Sequence, residues 1–148
     1  MGWGWGRNIA KTIMRNSNWL ENLTALIEDR RNVPYKVGAN DCCLFAADAI
    51  LAMTGDDLAK DLRNTYSTEA EATAIVESYG GHGPLLTKFL GVEPKGPLCA
   101  RRGDIVTFIT SSGMETIGVC MGTTIASPGD DGLNIFNFDI AKQSWAVS

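Results

Sequence analysis

A single histidine, His82, is all the imidazole this 148-residue sequence contains, so imidazole-based proton transfer near neutral pH has one candidate. Other absences exclude more. No run reaches the roughly 18–20 apolar residues a membrane span requires, and the best stretch, Cys42 to Met53, is short and carries Asp48. Positive charge is not in excess: the net charge is −4, and Lys and Arg are scattered apart from Arg30-Arg31 and Arg101-Arg102. An electrostatic footprint for nucleic acid is therefore missing. The four cysteines show no C-x-x-C spacing and no regular framework, which disfavours a disulfide scaffold and a zinc site built from Cys42, Cys43, Cys99 and Cys120. Met1 to Leu20 lacks an apolar signal-peptide core, and Gly6 stands where a myristoylation signal needs Ser or Thr. The expectation is synthesis in the cytosol with thiols reduced, which also fits a protein later carried outside by a particle.

What is present reads as one domain. With 45% hydrophobic and 20% charged residues, the chain is long enough to bury roughly two thirds of its unfolded surface. Residues 1–16 read as an arm: glycines make "MGWGWGRN" pliable, while Trp3 and Trp5 are costly to leave in water and suit docking on a partner. Residues 17–148 form the domain. Ser17 or Asn18 can cap a helix with Leu20, Leu23, Leu26 and Ile27 on its apolar side, stopping before Pro34. A second helix, Asp41 to Thr54, is apolar nearly all round and reads as a buried central helix whose Asp48 needs a partner. Asp56 to Arg63 suggests a short helix, Thr68 with Glu71 a capping box, and Pro84 a further helix ended by Gly91. From there "GDIVTFIT", "ETIGVCMG", "TTIAS" and "LNIFNF" are rich in β-branched and aromatic residues, separated by "SSG" and "PGDDG" turns. Helices followed by a compact antiparallel sheet make an α+β fold.

Cys42 carries the strongest chemical signal. It follows the cap residue Asp41, where unpaired backbone N–H groups and the helix dipole stabilise a thiolate. Cys43, rotated by about 100° on the helix, is expected to point elsewhere. His82, in "GGHGPLL", reads as a loop residue with nothing nearby in sequence to orient its ring, so as a base for Cys42 it would require the loop to fold over that helix end. Asp104, Asp130 and Asp131 read as turn carboxylates, and the last two lack the spaced oxygen ligands of a calcium loop. No metal or cofactor site is expected.

"VPYKVGANDCCLFAADAILAMTG" resembles the Asp-Cys helix motif of NlpC-type papain-like cell-wall peptidases. "RRGDIVTF" is similar to the Gly-Asp that opens their first core strand, "TIGVCMG" to the next strand, and "TTIASPGDDGLNIFNF" to the closing hairpin. The likeness runs from Asn32 to Ser148, and it is nearest to a phage- and prophage-encoded branch through "AADAILAMTG", "DLRNTY" and "QSWAV". It implies a papain-like fold and a place in the virion tail, near the tip or baseplate, among other tail proteins. The resemblance also sets Cys42 at the nucleophile position, Thr116 where the catalytic histidine should open the second strand, and Ile125 at the third polar position. With Thr116 in place of the base, the expectation is a degenerate domain serving as a structural part of the tail. The alternatives are an active cysteine endopeptidase or amidase that opens peptidoglycan during DNA delivery, using His82 or a residue lent by a partner, and a cytosolic binding module.

Overall fold

The computed structural model describes residues 13–148, helical in the first part and a sheet in the second, an α+β arrangement. Helix α1 (Trp19–Arg30) follows Asn18, whose side chain makes no capping bond. Its start is held instead by the Trp19 N–H donating to the Asn16 carbonyl at 3.0 Å, and Leu23, Leu26 and Ile27 pack into the main core. Helix α2 (Cys42–Thr54) ends where Gly55 adopts a left-handed φ of 83° and donates to the Leu51 carbonyl, a conformation glycine reaches without steric cost. Leu44, Phe45, Ala46, Ala49, Ile50 and Met53 are buried on its several faces, so α2 is the central helix that its composition indicates.

Asp48, the interior charge of α2, is paired twice. Arg30 of α1 reaches one carboxylate oxygen and Arg63 the other, each at 2.7 Å. Arg63 belongs to the segment expected to be helical from Asp56, which is a run of turns instead. The Ala59 carbonyl accepts from both Leu62 and Arg63, while the Asp57 carboxylate takes the Ala59 N–H and pairs with Arg63. Side-chain bonding to local backbone here displaces the helical ladder.

Helix α3 (Glu69–Ser78) opens on the Thr68/Glu71 capping box. Helix α4 (His82–Leu90) begins two residues before Pro84, not at it. Pro84 is tolerated there because donors in the first helical turn have no intrahelical acceptor anyway.

The sheet comprises β1 (Ile105–Ile109), β2 (Glu115–Cys120), β3 (Thr124–Gly129), β4 (Gly132–Asn137) and β5 (Ala141–Trp145). Its order is β4-β3-β2-β1-β5 with every pair antiparallel. The fifth strand carries only a weak sequence signal because Lys142 and Gln143 interrupt its buried residues. One face packs Ile105, Ile117, Val119 and Trp145 against Phe45, Ala49 and Met53 of α2.

The expected boundary between residues 16 and 17 falls inside a segment tied to the domain. The Arg15 guanidinium bonds Asp104 Oδ1 at 2.9 Å and the Val147 carbonyl at 2.6 Å, and the Asn16 N–H donates to the Met53 carbonyl at 2.7 Å. Asp104 is correspondingly more than a local turn group: buried, it accepts from the Arg101 and Val147 N–H groups as well. Trp3 and Trp5, with the docking role read for them, lie outside the described residues. Among the described residues no helix is long and apolar enough to cross a membrane.

Candidate active site

Cys42 is the first helical residue of α2, and the loop before it is locked. Asn40 is buried and donates to the Val33 and Pro34 carbonyls, while Arg30 donates to its side-chain oxygen at 3.0 Å. Asp41, in extended conformation, accepts the Leu44 N–H through Oδ1 at 2.9 Å. Its Oδ2 accepts the Gly38 N–H at 2.9 Å and the Tyr66 hydroxyl at 2.6 Å. Gly38 has φ of 81°, and a Cβ there would collide with the Tyr66 carbonyl, so this close approach requires glycine. With the Leu44 N–H taken by Asp41, the N–H groups of Cys42 and Cys43 are the ones at the start of α2 without an intrahelical acceptor.

His82 is the first residue of α4 and is not a loop side chain. Gly80 and Gly81, with φ of 98° and 124°, turn the chain from the end of α3 directly into it. Its Nδ1 lies 3.2 Å from Oε1 of Glu115, the first residue of β2. The ring therefore does have a group to orient it, one that comes from the sheet and not from its neighbours in sequence. The ring also borders the two thiols: Cys42 Sγ, Cys43 Sγ and a His82 nitrogen all lie within 4.8 Å of one another.

Cys43 does not point away as the helical rotation suggests. Side chains on a helix lean toward its N-terminus, so successive thiols in the first turn can converge in front of it. The proximity of Cys43 foremost, and of His82 and Thr116, holds the Cys42 thiol well below its ordinary value despite burial. The same proximity of the two thiols, together with burial, pushes Cys43 well above it. His82 is raised, chiefly by its hydrogen bond to Cys42 and further by Glu115. The combination favours a thiolate–imidazolium pair.

Thr116 contributes to lowering the Cys42 thiol, so the position that the resemblance assigns to the catalytic histidine borders the Cys42 sulfur. The imidazole reaches the same place from α4, with its orienting carboxylate one residue before Thr116. Glu115 carries no sequence signal of its own beyond its adjacency to Thr116. Ile125, at the third polar position, is fully buried among apolar residues including Val106 and Phe108. Asp130 and Asp131 are exposed at the turn between β3 and β4. Cys99 is exposed, and Cys120 is buried with its sulfur 3.8 Å from the Gly122 carbonyl. Neither belongs to the thiol cluster.

The arrangement supplies a thiol of lowered pKa at a helix start, an imidazole able to move a proton, a carboxylate beside that imidazole, and helix N–H groups able to receive a developing oxyanion. Those are the requirements of acyl transfer to sulfur. The family described as Domain of unknown function (DUF6950) matches residues 14–147. No curated protein matches the chain.

Proposed function

We propose that this chain, which belongs to the DUF6950 family, is a papain-like cysteine hydrolase that cleaves amide bonds. Cys42 is the nucleophile, His82 the acid and base, and Glu115 the group that orients the imidazole. One observation carries this: the His82 ring, held through Nδ1 by Glu115 at 3.2 Å, stands in the same cluster as the Cys42 sulfur. The degenerate reading rested on a missing base. A triad is recognised by geometry and roles, not by chain order, and here the base arrives from a different element.

The Cys42 thiolate adds to the substrate carbonyl carbon, and the carbonyl electron pair moves onto oxygen, facing the N–H groups at the start of α2. His82 gives its proton to the leaving nitrogen, the C–N bond breaks, and a thioester remains on Cys42. Water then adds to the thioester as His82 takes its proton, and collapse releases the acid and restores the thiolate. The resemblance to NlpC-type peptidases supports peptidoglycan stem peptides as the substrate. Its nearest branch supports a site of action on a phage tail tip or baseplate, where such cleavage would open the wall for DNA delivery.

Purified chain incubated with stem-peptide fragments of peptidoglycan should release new amino groups. Cys42→Ala should abolish release, and His82→Ala should lower it by about 10²–10⁴. A wild-type chain that leaves these peptides intact returns the domain to the structural tail role.

A further inference from the structure

Acyl transfer uses one thiol, yet two converge on the imidazole. Cys43 has no step in the mechanism above, and its sulfur nevertheless lies within 4.8 Å of both Cys42 Sγ and a His82 nitrogen. We propose that Cys42 Sγ, Cys43 Sγ and the free ring nitrogen of His82 form a binding site for one zinc ion, with Glu115 holding the histidine, and that zinc there switches the thiol off.

The donor set decides the class of ion. Two sulfurs and an imidazole match the N/S ligands of tetrahedral zinc and offer nothing to hard, oxygen-seeking calcium or magnesium. Zinc–ligand bonds of about 2.0–2.3 Å set ligand atoms roughly 3.5–4 Å apart, so atoms already within 4.8 Å reach an ion through small side-chain rotations. Glu115 adds a second, independent feature. Histidine bound to a metal almost always gives its other ring N–H to a carboxylate, carbonyl or water, which fixes the tautomer, and Glu115 meets Nδ1 at 3.2 Å. All three ligand residues are half-buried, and a tetrahedral zinc held by three protein ligands takes a water as its fourth.

Binding releases two protons to solvent, the Cys43 thiol proton and the one the His82 imidazolium carries on its coordinating nitrogen, and ties up the nucleophile and its base together. The loss of hydrolysis rests on the function proposed above, whereas the metal site itself does not.

Chain kept reduced with a phosphine is titrated with Zn2+ against a chromophoric chelator, and separately with Co2+ while the sulfur-to-cobalt absorption is followed. One equivalent should bind. Glu115→Gln should weaken affinity about 10–100-fold; Cys42→Ser, Cys43→Ser and His82→Ala should each weaken it more, and Cys99→Ser should not change it. The cobalt band should fall by about half in Cys43→Ser, because one of two thiolates is gone. In the unaltered chain, Zn2+ should protect Cys42 from iodoacetamide, a measurement that needs no variant to fold. Binding that survives both Cys43→Ser and His82→Ala, or alkylation of Cys42 unchanged by Zn2+, overturns the site. If zinc binds in this pattern and no peptide is cleaved, the hydrolase reading falls and the metal site stands. If cleavage proceeds undiminished with Zn2+ saturating, the switch is refuted and the hydrolase stands.

Discussion

Glu115 Oε1 lies 3.2 Å from Nδ1 of His82, so the first residue of β2 holds the first residue of α4 across 33 positions of sequence. That contact turns a lone histidine into an oriented base. It also explains how Thr116 can stand where the resemblance expects histidine without removing an imidazole from the site.

Glu115→Gln should lower the pKa of His82 while leaving it above the ordinary histidine value of about 6.5, because the hydrogen bond to Cys42 is the larger cause of its elevation. With one histidine in the chain, its ring protons give an unambiguous NMR titration. A group whose folded pKa is raised stabilises the fold fully below its unfolded value and loses that contribution as pH rises through the folded one. The stability difference between wild type and Glu115→Gln should therefore be largest below about pH 6.5 and vanish in alkaline solution. An unchanged titration would remove Glu115 from its role.

Asp48→Asn should destabilise the domain by about 1–3 kcal/mol in urea unfolding, since hydrogen bonds to charged groups each contribute on that order. The carboxylate meets Arg30 and Arg63 at 2.7 Å and is only 12% exposed, so water compensates little. Arg30 also holds Asn40, so the variant should also slow Cys42 alkylation. A change below about 0.5 kcal/mol, typical of ordinary surface substitutions, would show the pairs are incidental.

Thr87→Val should lower hydrolysis more than it lowers substrate binding. The Trp145 indole N–H donates to Thr87 Oγ1 at 2.9 Å, linking α4 to β5 and thereby setting where His82 begins the helix. Losing the acceptor leaves a largely buried donor unsatisfied, at about 1–3 kcal/mol of stability. Equal effects on kcat and KM would point to a purely structural contact.

Gly118→Ala should cost about 1–3 kcal/mol of stability, as overpacking does. A Cβ at this point of β2 would overlap the Ile125 side chain and sit 3.0 Å from the Phe108 ring. Thermal unfolding of the variant measures it, and an unchanged midpoint would contradict this packing.

The central helix was legible because Asp41 and Gly55 punctuate an apolar run at both ends, and four strands were legible from β-branched residues between turn signals. The fifth strand was not, since Lys142 and Gln143 are both exposed where the pairing with β1 shifts register, which breaks the period-two alternation. The Asp56–Arg63 turns escaped for a different reason: helix-compatible residues were diverted by Asp57 and Arg63 bonding locally and by Asp48 attracting the same arginine. At the site, Cys42 was readable from its place beside a cap. The convergence of His82, Glu115 and Cys43 was not, because it depends on where α3 hands the chain to α4 through Gly80-Gly81 and on a cross-element contact with no local spacing.

If Cys42 and His82 form a thiolate–imidazolium pair, the rate of Cys42 alkylation by iodoacetamide against pH carries its signature. Peptide mapping separates Cys42 from Cys43, Cys99 and Cys120. Because the Cys42 pKa is lowered and that of His82 raised, the wild-type rate should persist well below pH 8, where a free thiol of pKa about 8.5 has lost most of its reactivity. In His82→Ala that acid-side reactivity should fall away. A wild-type profile that follows the free thiol, unchanged by His82→Ala, would rule out the pair.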